Sequence, residues 1–319
     1  MAVYTEVTAE DLYALLERYD IGSLTAFKGI AEGVENSNFF LNTGDGQFIL
    51  TLYEKRVAAE DLPFFLGLME HLAQGGVRCP TPVHDREGQV LRELAGRPAA
   101  IVTFLPGYSL QKPQPAHCRA VGAVMAKLHE AGLSFPLKRK NTLSLAGWTR
   151  LCASIGGVAD KIAPGMSAQL AHALDTLSET WPENLPRGVI HADLFPDNVL
   201  FLKDAVSGVI DFYFACNDLL AYDLAICMNA WCFEFDGAFN VTKAMALFKG
   251  YNSVRRLEPE EVSALPILAR GAAVRFFLTR LYDWYNTPDT AFVKRKDPME
   301  YWRKLSFHQG VETARAYGL

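Results

Sequence analysis

Residues 189–201 read V-I-H-A-D-L-F-P-D-N-V-L-F, two β-prone runs closed around a polar loop that holds His191, Asp193 and Asn198. A second acid, Asp211, follows in G-V-I-D-F at 208–212. No other stretch restricts the fold as strongly. Asn198 lies five residues after Asp193, so one short loop can aim both at one point. The expected hairpin pairs 198–202 with 207–211 across Lys203-Asp204-Ala205-Val206, and sets Asp211 on the return strand. Phosphoryl transfer asks for such a set: a carboxylate beside the nucleophilic oxygen and hard oxygen ligands for Mg²⁺. The pattern H-x-D-x-x-x-x-N, then I-D-F, is far more specific than a lone acid. It points to Asp193 as the group that takes a proton from a substrate hydroxyl, and to Asn198 and Asp211 as ligands of the magnesium that neutralises ATP phosphates. The bland alternative is a hairpin with polar turn residues and a solvated acid pair.

The chain around this loop has 319 residues, enough for two lobes, and half of them are hydrophobic, enough for a substantial core. Net charge is −5 with acids and bases interspersed, which argues against a nucleic-acid surface. ATP would then be drawn by local cations and not by global charge. The six cysteines, at 79, 118, 152, 216, 227 and 232, show no C-x-x-C spacing. They read as buried thiols of a reducing compartment, not as a disulfide framework or a zinc site. Met1–Glu6 lacks a basic stretch leading into an apolar run, so no signal peptide is expected. No apolar run is expected to reach the roughly 20 residues that span a bilayer. The expectation is a soluble cytoplasmic protein with no membrane partner.

Taken in order, Thr8 opens a helix with Asp11 as its capping partner and Leu12, Leu15, Leu16 and Tyr19 as its apolar stripe. Strands are expected at 24–31, 36–43 and 47–54, the last two joined by Thr43-Gly44-Asp45-Gly46, a hairpin signal. A meander with a glycine-bearing first turn can fold over nucleotide phosphates. Gly29 and Gly33 would let backbone N–H groups approach, and Asn36, Ser37 and Asn38 would add side-chain donors. An ordinary hairpin turn is the alternative there. A helix follows over 59–74, stopped by Gly75-Gly76, then a hairpin of Gln89–Leu94 and Pro98–Phe104. Its second strand is almost wholly apolar, hence central. It runs into Leu105-Pro106-Gly107, read as a hinge near 103–107 between a first lobe, 1–104, and a second, 105–319. An adenine ring would stack in an apolar slot there and bond the backbone of Thr103, Phe104 and Leu105. Beyond the hinge the character becomes helical, with helices expected at 115–131, 146–156, 166–180, 219–234, 240–252, 259–285 and 298–316.

The H-A-D-L-F-P-D-N and V-I-D-F segments resemble the aminoglycoside-phosphotransferase and choline-kinase superfamily. Within it the chain is similar to bacterial homoserine kinases of the protein-kinase-like type. The closer likeness lies in G-V-E-N-S-N-F-F-L-N-T at 33–43, F-I-L-T-L-Y-E at 48–54, D-L-P-F-F-L at 61–66 and L-A-G-R-P-A-A-I-V-T-F-L-P-G at 94–107. The resemblance implies an α+β, two-lobed protein-kinase-like fold, with an antiparallel sheet and one main helix in the first lobe and a mainly helical second lobe. It implies ATP and Mg²⁺ as cofactors and L-homoserine as acceptor. Kinases of choline, aminoglycosides or fructosamines, and a nucleotide-sensing relative without catalysis, remain open beside it. By the same resemblance Asp193 is the catalytic aspartate, Asn198 and Asp211 are metal ligands, His191 buttresses the loop, and Asp223 braces it from a helix start. Thr51 stands where many relatives have a phosphate-binding lysine, which leaves Lys28, Lys55 or Arg56 to supply the cation. A homoserine α-carboxylate needs a cation and its ammonium an acid. Asn217, Asp218, Asn229, Trp231 and Glu234 are candidates after Asp211. Arg275, Arg280, Asp283 and Trp284 are candidates on the long helix, and Arg139 in the basic loop 137–141.

Overall fold

A computed structural model describes residues 5–30, 36–54, 57–286 and 295–319. It is α+β, and its internal contacts divide the chain into two compact units. One is Met1–Gly107 with Ser207–Tyr213; the other is Tyr108–Val206 with Phe214–Leu319.

The first unit starts with α1 (Ala9–Leu16). Thr8 Oγ1 accepts the Asp11 N–H at 3.1 Å and the Asp11 carboxylate accepts the Thr8 N–H at 3.2 Å, the reciprocal cap the sequence announces. Leu12, Leu15 and Leu16 turn into the core. Strands β1 (Leu24–Gly29), β2 (Ser37–Thr43) and β3 (Gly46–Leu52) form a meander; helix α2 (Leu62–Gln74), β4 (Arg92–Leu94) and β5 (Arg97–Thr103) follow. All pairs are antiparallel, in the order β1-β2-β3-β5-β4. Strand β2 buries every second residue, as a sheet with one covered face requires. In β5, Ala99–Val102 is buried throughout, as its apolar run predicts. Strand β4 is shorter than expected because the Asp85 carboxylate takes the N–H groups of Glu87 and Gln89 and holds that stretch in a turn.

Segment 207–213 joins this unit, a departure from the expected break after residue 104. Val209 N–H donates to Arg78 O at 2.9 Å, and the Tyr213 ring meets Tyr53 and Phe65 edge-on at 5.4 and 5.7 Å.

The second unit runs α3 (Pro115–Gly132), α4 (Leu145–Ile155), α5 (Met166–Thr180), β6 (Arg187–Ile190), β7 (Val199–Leu202), β8 (Ala205–Val209), β9 (Cys216–Leu219), α6 (Leu220–Trp231), α7 (Val241–Asn252), α8 (Pro259–Asn286) and α9 (Met299–Gln309), with the division from the first unit falling inside β8. Strands β6 and β9 pair antiparallel; β7 and β8 form a separate ribbon. Helices α3 and α7 cross at Gly122 and Gly250, where a Cβ would run into the partner's backbone.

Three expectations change. The hairpin turns on Lys203-Asp204 alone, with Lys203 at φ +56°, so β8 begins at Ala205 and ends at Val209. Asp211 therefore lies past the strand and not on it. The helix expected over 219–234 starts one residue later, after β9, a strand its polar C-N-D-L sequence did not announce. The last helix stops at Gly310, and Ala314–Tyr317 forms a separate 3-10 turn.

Helix α8 is long and apolar enough to cross a membrane, contrary to expectation, but 67% of its most apolar window is buried inside the protein. Arg270, Arg275 and Arg280 lie along it, as suits a core helix.

Candidate active site

Leaving β6, the chain passes through His191 and Ala192 to Asp193. Ala192 sits at φ +64°, a left-handed conformation that costs an alanine on the order of 1 kcal/mol. The surroundings hold it there. The Asp223 carboxylate, buried in the first turn of α6, accepts the N–H groups of His191 and Ala192, both at 2.8 Å. Arg275 Nη1 donates to Ala192 O at 2.7 Å. Asp193 N–H points to His191 Nδ1 at 3.3 Å, and Trp231 Nε1 donates to Leu194 O at 2.8 Å. Nearly every peptide group from 191 to 194 thus has a buried side-chain partner.

Asp223 is itself held. His129 Nε2 lies 3.0 Å from Asp223 Oδ2 and its Nδ1 2.8 Å from the Tyr251 hydroxyl, which takes a bond from Arg255 at 3.1 Å. Arg255 in turn pairs with Glu261 through both nitrogens at 3.0 Å. Burial pushes the Asp223 carboxyl up; the His129 hydrogen bond, the nearby imidazoles and the His191 N–H outweigh it and hold the group below the usual carboxylate range. A charged brace beneath a strained peptide is the physical content of this loop.

Asn198 is buried, and its Nδ2 donates to Asp193 O at 2.8 Å and to Asp193 Oδ2 at 3.2 Å. With the amide nitrogen so committed, its Oδ1 is the atom left to act as a ligand. In the first unit Asp211 stands two residues after β8 at φ +66°. Among the described residues no cluster of three His, Cys, Asp or Glu side chains exists. An amide oxygen and a carboxylate are each hard donors of the kind that suits Mg²⁺ and not zinc.

The nucleotide candidates of the first unit fare unequally. Gly33 lies outside the described residues, as do Lys55 and Arg56. Asn36 is buried with its Oδ1 3.3 Å from Glu54 N–H. Ser37 is fully buried, donating to Glu54 Oε1 at 2.8 Å and accepting from Thr5 N–H at 3.1 Å. Asn38 accepts from Thr51 Oγ1 at 2.8 Å. These side chains tie β2 to β3 and the segment after it. Thr51, in the lysine's place, is buried against Asn38 and also approaches the Tyr213 hydroxyl, which lies 3.3 Å from that of Tyr53. Lys28 is exposed on β1. At the expected hinge, Thr103 and Phe104 N–H groups already donate to Thr81 O and Gln47 O. Leu105 N–H has no protein partner among the described residues.

Most acceptor candidates serve the fold. Asn217 Oδ1 accepts from Arg139 N–H, Asp218 takes Asn141 and Arg187, and Asn229 joins His308 to Ala269 O. Glu234 pairs with Lys243 at 2.7 Å and Arg280 with Glu300 at 2.6 Å. Sequence reading missed His129, Tyr251, Arg255 and Glu261 altogether. Their sole signal is polar residues at positions that helical periodicity turns inward.

With this geometry in view, the comparisons define the class. The chain belongs to the phosphotransferase enzyme family, whose model matches residues 26–257. It is 61% identical over 320 residues to the homoserine kinase of Bradyrhizobium diazoefficiens, covering 100% of this chain and 98% of that protein. Against the homoserine kinase of Rhizobium meliloti (strain 1021) it is 58% identical over 319 residues, covering 100% and 98%. Its fold matches that of an amicoumacin kinase solved in complex with AMP-PNP, Ca²⁺ and Ami, with a TM-score of 0.67, 15% identity and 95% of each chain covered.

Proposed function

We propose that the protein is an ATP-dependent homoserine kinase that makes O-phospho-L-homoserine. The observation that carries this reading is full-length identity of about 60% to proteins of that name, without a gap in coverage at either end of the second unit, where an acceptor pocket would have to differ. Family membership and the fold shared with a kinase solved with AMP-PNP support ATP as the donor.

The Asp193 carboxylate, fixed by its braced backbone and by Asn198 Nδ2, orients the acceptor hydroxyl and takes its proton as the oxygen attacks. Asn198 Oδ1 and the Asp211 carboxylate would each offer an oxygen to Mg²⁺, which would supply neutralisation of phosphate charge. Gly33 would let backbone amides approach the phosphates, Asn36, Ser37 and Asn38 would add donors, and the backbone of Thr103, Phe104 and Leu105 would meet the adenine edge. The reading carries with it a cytoplasmic location, in keeping with six free thiols.

The test is ATP consumption by the purified protein with L-homoserine, L-serine, L-threonine, choline and an aminoglycoside as acceptors. L-Homoserine should give the highest kcat/KM. A higher value for choline or the aminoglycoside overturns the reading.

A further inference from the structure

Arg275 is a charge without a counter-charge. It is 1% exposed, and among the described residues no carboxylate pairs with it. Its one hydrogen bond is Nη1 to Ala192 O; its Nε is buried with no partner. The guanidinium lies between the rings of Phe276 and Phe214, at 4.6 and 5.7 Å. Stacking of this kind orients a guanidinium but does not neutralise it. A buried cation left unpaired is among the costlier features a fold can hold.

Two further groups around it are incomplete. The Tyr301 hydroxyl on α9 is fully buried and has no hydrogen-bond partner. It lies where the charges of Arg280, Glu300, Asp193 and Arg275 all act on it. The Tyr222 hydroxyl lies alongside the Arg275 guanidinium without completing a hydrogen bond. So three of the five unsatisfied buried side-chain polar atoms among the described residues are the Nε of this guanidinium and the Tyr222 and Tyr301 hydroxyls near it. All three are able to donate, and the guanidinium that carries one of them is bonded to Ala192 O, next to Asp193. Buried donors beside an unpaired cation and without an acceptor make a place for an anion.

We propose that Arg275, with the hydroxyls of Tyr301 and Tyr222, binds the carboxylate of the acceptor, so that the enzyme selects hydroxylated α-amino acids over the corresponding amino alcohols. This deepens the proposed function and rests on it for the identity of the acceptor. The bond from Nη1 to Ala192 O then links the two ends of the substrate. The guanidinium that receives the carboxylate also fixes the peptide next to the residue that receives the hydroxyl proton. Enclosure by Phe195, Phe276 and Tyr301, whose rings lie 4.9 to 6.4 Å apart, keeps water from the pair and strengthens it.

The test compares acceptors that differ only in the carboxylate: L-homoserine with 3-aminopropan-1-ol, and L-serine with 2-aminoethanol. The readout is the ratio of kcat/KM within each pair, for the wild type, Arg275→Met, Arg275→Lys and the near-isosteric Tyr301→Phe. The wild type should favour the carboxylated member by 10³-fold or more. The ratio should fall by about 100-fold in Arg275→Met and about 10-fold in Tyr301→Phe, with partial recovery in Arg275→Lys, chiefly through KM for the carboxylated member. Equal losses on both members of a pair make Arg275 a brace for Ala192 only and overturn the proposal. So does a wild-type enzyme with no preference for the carboxylate. If homoserine is not the best acceptor but carboxylated acceptors are still preferred through Arg275, the carboxylate site stands and the homoserine reading falls. Should Arg275→Met fail to fold, Tyr301→Phe decides alone.

Discussion

Two acids leave their strands in the same way, and the chain beside each is packed by different means. Asp193 follows β6 through Ala192 at φ +64°; Asp211 follows β8 and is itself at φ +66°. Neither position is a glycine, so each left-handed residue has to be stabilised by its surroundings. Around Asp193 the stabilisers are charged: the Asp223 carboxylate on two N–H groups and the Arg275 guanidinium on one C=O. In the segment that follows Asp211, Tyr213 makes neutral contacts: its hydroxyl lies beside those of Tyr53 and Thr51, and its ring packs against Phe65. A charged brace fixes direction, because a carboxylate with two N–H donors has one good geometry. A neutral aromatic brace fixes shape and tolerates small losses. The two should therefore fail under different substitutions and at opposite ends of the pH scale.

The largest effect belongs to the acid on the charged side. Asp193→Asn should lower turnover by about 10² to 10⁴-fold, the range of a lost general base, while calorimetry shows ATP-analogue binding near wild type. Turnover close to wild type would break the comparison at its root, since the brace would then present nothing of consequence. Next comes the brace. Asp223→Asn keeps the shape but leaves one N–H and His129 poorly matched in a dry site, for an expected loss of about 3 kcal/mol in denaturant unfolding at pH 7. The sign of its pH dependence follows from the lowered native pKa. The Asp223 contribution is fully present above the unfolded carboxyl value of about 3.9 and is lost as pH falls through the lower native value. The stability gap between wild type and variant should therefore be constant from pH 5 to 7 and close in acid below about pH 4. A gap that persists in acid would mean that Asp223 acts through packing and not through charge.

The same contrast explains what the sequence could and could not reveal. Asp193, Asn198 and Asp211 stand out because they are polar residues set between or directly after β-prone runs. The sheet, α2 and most later helices follow from apolar periodicity and glycine stops. The charged brace was legible only in part: Asp223 by resemblance, but not His129, Tyr251, Arg255 or Glu261. Those residues lie up to 122 positions from their partners, and a buried ion network leaves no local pattern. The neutral brace was hidden differently. Thr51 reads as a missing lysine, whereas in the structure it is one hydroxyl of a cluster whose other members, Tyr53 and Tyr213, look like ordinary core aromatics. The displaced start of β8 was hidden because a two-residue turn at Lys203-Asp204 lacks the glycine that marks such turns.

The smallest effect, and the one that separates the two braces most sharply, is expected at Tyr213. Tyr213→Phe keeps the ring that packs on Tyr53 and Phe65 and removes only the hydroxyl. Thr51 retains its bond to Asn38, so the loss at pH 7 should be about 1 kcal/mol. Turnover should fall less than in Asp223→Asn, because the ring alone preserves the path of the chain from Asp211. Burial pushes the Tyr213 hydroxyl up to about 12, with the Tyr53 hydrogen bond opposing and the Asp211 charge assisting. A raised native pKa means a contribution fully present below the unfolded value of about 10 and lost as pH rises toward the native one. Wild-type stability should therefore decline between about pH 10 and 12 more steeply than that of Tyr213→Phe, and the two curves should converge at the alkaline end, where the charged brace predicts no change. Thermal unfolding across that range measures it. Parallel alkaline slopes would show that Tyr213 is solvated, and the neutral brace would then consist of ring packing alone.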